Sequence, residues 1–322
     1  MKPLDLSKIP TYDQLPVKAG APKGASWGVF GENDQLGCLN FLTPENLAEA
    51  AKLVKRGKVF RLDSKIGFAT PPLFGRAAVR HQVLKLGDVG HDDLIDNYNT
   101  QEAAQWDGLG HIGHIAHKVY YNGTPREQIH SGPGGQLSIH HWNDQFAGRG
   151  ILIDMYGYRK ANGIAVEPIS NEEYKLAEFE AALKWQGTVM KPGSIVLVRT
   201  GWMEAYERAT PETKEVLSHM ETVQAMGVDR SRDMAAWLWN HRVAAIAADN
   251  PAVETVPVSL DNVDAMHYWA LPLMGLPLGE LFVLNKLAED CAADKQYEFL
   301  LTSAPMYLEG GIASPPNALA IK

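Results

Sequence analysis

The stretch GILIDMYGYRKANGIAVEPISNEEYKLAEFEAALKWQGTVMKPGSIVLVRTGW, residues 150–202, sets two apolar runs of buried-strand length on either side of one amphipathic run. GILIDMYG (150–157) and SIVLVRTGW (194–202) are short and bounded by turn residues, as expected of strands inside a core. Between them, Ser170 and Glu173 stand three apart in a capping-box pattern. EYKLAEFEAALKWQ then carries apolar residues at helical spacing until Gly187 stops it. Strand, helix and strand in succession predict an α/β protein.

The same alternation continues outward. Thr43 can cap a helix, Pro44 suits its first position, and NLAEAAKLVKRG carries the apolar spacing to Gly57. A third helix is expected from Ser231 through MAAWLWNH, and further strands in KVFRLDS (58–64), VAAIAAD (243–249) and ELFVLN (280–285). Residues 1–40, rich in proline, glycine and polar side chains, read as an N-terminal arm wrapping the body or a neighbouring subunit; residues 41–322 read as one domain.

Composition narrows the function. The chain has 322 residues, 45% of them hydrophobic and 21% charged, with a formal net charge of −8, a balance that favours a small-molecule partner over nucleic acid or an anionic membrane. Cys38 and Cys291 are too far apart in sequence for a Cys-x-x-Cys site, which fits a reducing compartment. No secretory leader is visible, and the most apolar stretch, ALPLMGLPLGELFVL, is interrupted by proline, glycine and Glu280, so a cytoplasmic protein is expected.

Chemistry concentrates in two places. QWDGLGHIGH (105–114) sets Asp107 and His111 four apart among glycines, a composition suited to a loop closing on a ligand. By itself the pair reads first as a hydrogen-bonded loop pair and only second as half of a divalent-metal shell. DNVDAMHYWALPLMGLPLGELFVL (261–284) then places His267 and Glu280 in an otherwise apolar run, where a carboxylate needs a cation or a strong donor. Arg199 and Arg242 are the alternative partners for Glu280. A phosphate-binding glycine loop and a G-x-S-x-G elbow are both absent from the sequence.

TQEAAQWDGLGH (100–111) resembles the signature H-x-G-T-H-x-D-x-P-x-H of the metal-dependent cyclase-like hydrolases, the family of bacterial kynurenine formamidase and isatin hydrolase, with Asp107 and His111 on its Asp and last His. The family's later D-A-x-H and Glu match Asp264, Ala265, His267 and Glu280. Supporting blocks run in order from WGVFGENDQLGCLNFLTPE through YYNG, GRGILID and VLVRTGW to the tail SAPMYLEGGIASPPNALAI. These look like the longer branch of the family. The departures are Gln101 and Gln105 at the first two signature histidines, and Ala103-Ala104 for Gly-Thr.

The resemblance implies a swivelling β/β/α fold, assembly as a homodimer or homotetramer, and one divalent ion, zinc or manganese, on Asp107, His111, His267 and Glu280. It implies hydrolysis of a C–N or C–O bond beside a carbonyl, in an amide, formamide, lactone or cyclic imide of a small cyclic or aromatic substrate, by metal-activated water. His111, Glu280 and His114 are the expected catalytic groups, with His117, His140 and His141 as further candidates for the base. Gln105, Trp106 and Tyr121 are expected at the substrate, and Tyr120 and Trp142 are further aromatic candidates. A lyase or isomerase stabilising an enolate, or a non-catalytic binding relative, are the alternatives.

Overall fold

The computed structural model describes residues 4–257 and 264–322. A nine-stranded mixed sheet organises them. Its strands are β1 (Val59–Arg61), β2 (Gln105–Asp107), β3 (Ala147–Asp154), β4 (Ile195–Arg199), β5 (Ala245–Ala248), β6 (Leu278–Glu280), β7 (Glu298–Thr302), β8 (Ala313–Ser314) and β9 (Leu319–Ile321), in the spatial order β1-β9-β7-β3-β4-β5-β6-β2-β8. The β3-β4-β5-β6 centre is parallel and the outer pairings are antiparallel. Strands β4 and β5 are buried almost throughout, which is why their sequences run apolar without alternation.

Helix α1 (Pro44–Ala51) begins as its sequence indicates: the Thr43 hydroxyl accepts from the Asn46 amide at 3.3 Å and Pro44 opens the first turn, but the helix ends well before Gly57. Helix α2 (Leu176–Gln186) stops at Gly187 in the left-handed region, φ 69°. The Ser170 box does not cap it. Glu173 and Tyr174 instead form a short strand with Gly227 and Val228, and the Glu173 carboxylate pairs with Arg230 and Lys175, so the helix starts three residues later. Helix α3 (Arg232–Asn240) is capped by Ser231 as expected. Helix α4 (Asn285–Asp294) and the exposed hairpin Arg80–Leu86/Gly90–Asp96 had no sequence expectation.

Residues 4–42 pack along the body. The Ser26 amide donates to the Leu273 carbonyl at 2.9 Å, the Trp27 indole to Pro272 at 2.7 Å, and Leu39 and Phe41 are fully buried. Arg242 donates to the Ile9 and Pro10 carbonyls, so its charge serves this segment rather than Glu280. Among the described residues no helix is long and apolar enough to cross a membrane.

The far edge of the sheet is fastened by charge. Lys322, next to β9, sets its ammonium 3.2 Å from Asp290 and 2.9 Å from Asp294 of α4, and Arg56 and Lys58 also reach Asp290. Burial alone would raise the Asp290 pKa, but hydrogen bonds from Lys58, Arg56 and Lys322 hold it well below the usual carboxylate range. A pKa depressed on folding stabilises the fold above the unfolded value near ~4, and that stability is lost as pH falls through the lower folded value. Asp290→Asn is therefore expected to destabilise the protein at pH 7 and to lose part of that penalty at pH 3, which lies below the unfolded value but above the folded one. Urea unfolding at pH 7 and pH 3 checks this, and an equal penalty at both would remove the ion cluster from the account.

Candidate metal centre

Strands β2 and β6 pair antiparallel, with Glu280 opposite Gln105 and Leu278 opposite Asp107. Side chains alternate along a strand, so Gln105 and Asp107 share one face and Trp106 takes the other. Gly279, opposite Trp106, admits that indole: a Cβ there would lie 2.6 Å from the ring and 2.6 Å from the Ala247 methyl. Asp107 is fully buried at the end of β2. The next residue, Gly108, turns the chain through a hydrogen bond to the Ile312 carbonyl at 2.8 Å, and His111 follows on the loop.

His267 comes from the far end of the sequence, in the single helical turn Met266–Tyr268. That turn leaves its first amides unpaired within the helix, and the Glu254 carboxylate takes two of them, Met266 N–H at 2.8 Å and His267 N–H at 2.9 Å. Glu254 Oε1 also lies 2.6 Å from His267 Nδ1. With Nδ1 donating to that carboxylate, Nε2 is turned toward Asp107 Oδ2 at 3.8 Å and Glu280 Oε1 at 3.5 Å. Sequence reasoning missed Glu254. An isolated acid in the apolar run VAAIAADNPAVETV was its only trace.

One donor atom from each of Asp107, His111 and His267 lies within 4.8 Å of the others. His111 Nε2 is 4.0 Å from Asp107 Oδ2. The neighbouring glutamines take up the other oxygens: Gln101 donates to Asp107 Oδ1 at 2.6 Å, and Gln105 donates to Glu280 Oε2. Asp107 Oδ2 is then left buried with no hydrogen-bond partner among the described residues. Donor atoms on one tetrahedral zinc ion are about 3.4 Å apart, so these three would draw together, by about half an ångström at the Asp107 contacts, to hold a cation. A fully buried acceptor facing two imidazoles is the chemistry such an ion would satisfy.

Burial pushes the Asp107 carboxyl up, but the His111 and His267 imidazoles and the Gln101 amide outweigh it and hold the carboxyl below its ordinary value. Burial lowers His111 despite the attraction of Asp107. Burial would also lower His267, but Asp107, Glu254 and Glu280 raise it well above an ordinary histidine. Glu280 is pushed up to about 7, first by burial and then by the charge of Asp107.

The centre opens into a cavity of about 190 Å³ that Gln101, His111, His267 and Glu280 line together with Arg76, Phe74 and Ile112. Several expected groups lie elsewhere. Trp106 is fully buried behind the sheet, donating to Ser303 Oγ at 3.0 Å and packed on Phe146 and Phe282. Tyr121 is equally buried, its hydroxyl donating to Asp34 at 2.9 Å. Neither lines the cavity. Gln105 is also fully buried, its amide donating to Glu280 while its Oε1 has no partner among the described residues. His114 packs at a tilt against His117, with ring centroids 4.7 Å apart, on the loop beyond His111, His140 and His141 pack at a tilt beside Tyr307, and none of the four belongs to the donor set among the described residues. Arg199, the other alternative partner of Glu280, pairs instead with Asp154 and Glu204.

The family model described as "Putative cyclase" matches residues 46–255, well over half of the chain. The chain belongs to the Cyclase family. A crystal structure of a cyclase is 32% identical over 92% of this chain and 99% of its own, with a TM-score of 0.81. Isatin hydrolase A from Labrenzia aggregata, bound to benzyl benzoate, is 15% identical over 86% of this chain and 96% of its own, with a TM-score of 0.57. A predicted metal-dependent hydrolase from Bacillus stearothermophilus is 14% identical over 83% and 98%, with a TM-score of 0.51. No curated protein matches in sequence. The Cyclase fold, a single α/β domain on a curled mixed sheet, is the one expected from the sequence.

Proposed function

We propose that this Cyclase-family chain is a metal-dependent hydrolase of a C–N or C–O bond beside a carbonyl, in an amide, formamide, lactone or cyclic imide with a small aromatic or cyclic body. The observation that carries the reading is the unpartnered Asp107 Oδ2, buried and facing two imidazoles at the wall of a cavity. Asp107, His111 and His267 would hold one zinc or manganese ion, with Glu280 at its edge. Such an ion supplies polarisation of a carbonyl and acidification of water. Glu280 lines the cavity, and its Oε1 faces His267 Nε2 at 3.5 Å while Oε2 is held by Gln105, so it is suited to take a proton at Oε1 and return it to the leaving atom. Glu254 fixes the His267 ring, and Gln101 fixes the Asp107 carboxylate. Ile112, Pro251 and Val256 give the substrate body apolar walls.

Elemental analysis of dialysed, metal-saturated protein, with a screen of formamides, lactones and cyclic imides with and without chelator, tests the reading. About one ion per chain and chelator-sensitive turnover with net uptake of water are expected. A ratio near two at this centre would overturn the single-ion assignment. Turnover without water would make the enzyme a lyase or isomerase, and neither metal nor turnover would make it a binding relative.

A further inference from the structure

Arg76 also lines the cavity, and the mechanism above does not use it. It follows the turn Leu73–Gly75, in which both Phe74 (φ 59°) and Gly75 (φ 66°) are left-handed. Left-handed backbone is unfavourable for an aromatic residue, so the surroundings must impose it. The Gly75 amide donates to the Ser218 carbonyl at 3.1 Å and the Arg76 amide to Leu73 at 3.3 Å, closing the turn. The guanidinium lies over the Phe74 ring at 5.0 Å, and its Nη1 donates to the Gln101 carbonyl. Those are its contacts among the described residues, none of whose carboxylates lies within ion-pair distance of it. Two carboxylates feel its charge from beyond that distance: Glu102, which accepts from the Gly67 amide at 2.9 and 3.1 Å, and Glu280, which is held by Gln105 and His267.

An arginine held in place without an anion beside an apolar cavity is a recognition group. With one divalent cation balanced by Asp107 and Glu280, the charge of Arg76 is left over for the ligand. An apolar cavity of roughly 150 Å³ holds benzene, so about 190 Å³ admits one ring with a substituent.

We propose that Arg76 anchors an anionic group of the substrate, so that the site takes a small aryl or cyclic acid whose carboxylate sits on the guanidinium while its reacting carbonyl faces Asp107, His111 and His267. This rests on the reading of the cavity as a substrate pocket.

Benzoate and benzamide are isosteric probes for it, titrated calorimetrically into zinc-loaded protein and again with chelator present. Benzoate is expected to bind about tenfold or more tightly than benzamide, and Arg76→Met to lose that preference by weakening benzoate alone. Arg76→Lys, which keeps charge but loses the planar fork, is expected to fall between them; it decides the matter if Arg76→Met does not fold. Equal binding of the two probes, or benzoate affinity unchanged in both variants because the metal takes the carboxylate, overturns the proposal. If zinc is not taken up but benzoate still depends on Arg76, the hydrolase reading falls and the anion anchor stands. If zinc binds and benzoate ignores Arg76, the reverse holds.

Discussion

Asp107→Asn is expected to abolish metal uptake at micromolar zinc and to cut turnover of any hydrolysed substrate by a factor on the order of a thousand or more. The carboxylate is the one anion that faces both His111 Nε2 and His267 Nε2, and its Oδ2 has no other partner among the described residues. Asparagine keeps the volume and one oxygen but removes the charge that offsets a divalent cation. Electrostatic stabilisation by such an ion amounts to several kcal/mol, and each ~1.4 kcal/mol is tenfold in rate. Calorimetric zinc titration beside a thermal melt checks this. A folded variant that retains full zinc affinity would take Asp107 out of the centre.

Glu254→Gln is expected to weaken zinc affinity by about 10- to 100-fold, the usual effect of losing a carboxylate behind a ligating histidine. It is also expected to destabilise the metal-free protein. The carboxylate is fully buried and serves three donors, the Met266 and His267 amides and His267 Nδ1. A glutamine oxygen can serve fewer of them, and its amino group meets a donor where an acceptor is needed, which costs about 1–3 kcal/mol. A lower melting temperature with unaltered zinc affinity would mean that Glu254 only caps the turn and does not orient the ring.

The strands of the parallel centre were legible because burial on both faces writes a plain apolar run, as in IVLVR and AIAA. The caps at Thr43 and Ser231 were legible because each is a local hydrogen bond. The Ser170 box failed because Arg230 and Lys175, with a strand partner at Gly227, compete for the same glutamate. ELFVLN was misplaced for a related reason: the strand ends at Glu280, and Leu281 turns left-handed (φ 58°) to donate to the Asn250 carbonyl. In the candidate centre, Asp107, His111, His267 and Glu280 could be named together only through the family resemblance, since by spacing alone Asp107 and His111 read as a loop pair and Glu280 as a partner for an arginine. The aromatic residues could not be assigned a side. Trp106 neighbours Asp107 in sequence, yet strand alternation sends it to the opposite face, and the strand itself was hidden in a stretch read as a loop. Arg76 and Glu254 enter only through contacts made across long separations, which no local pattern records.

The antiparallel register of β2 with β6 has a consequence for how the chain matures. Asp107 and His111 are synthesised long before His267 and Glu280, and the pairing of Gln105 with Glu280 spans 175 residues. A nascent chain lacking the second segment has two of the four groups, so it should hold zinc no better than a scattered Asp-His pair. Ion capture then becomes the closing event of folding, and a tightly held ion adds RT ln(1 + [L]/Kd) to the stability of the finished molecule alone. For the ion proposed above, metal supply would then bear on the stability of the finished fold and not on that of the unfinished chain.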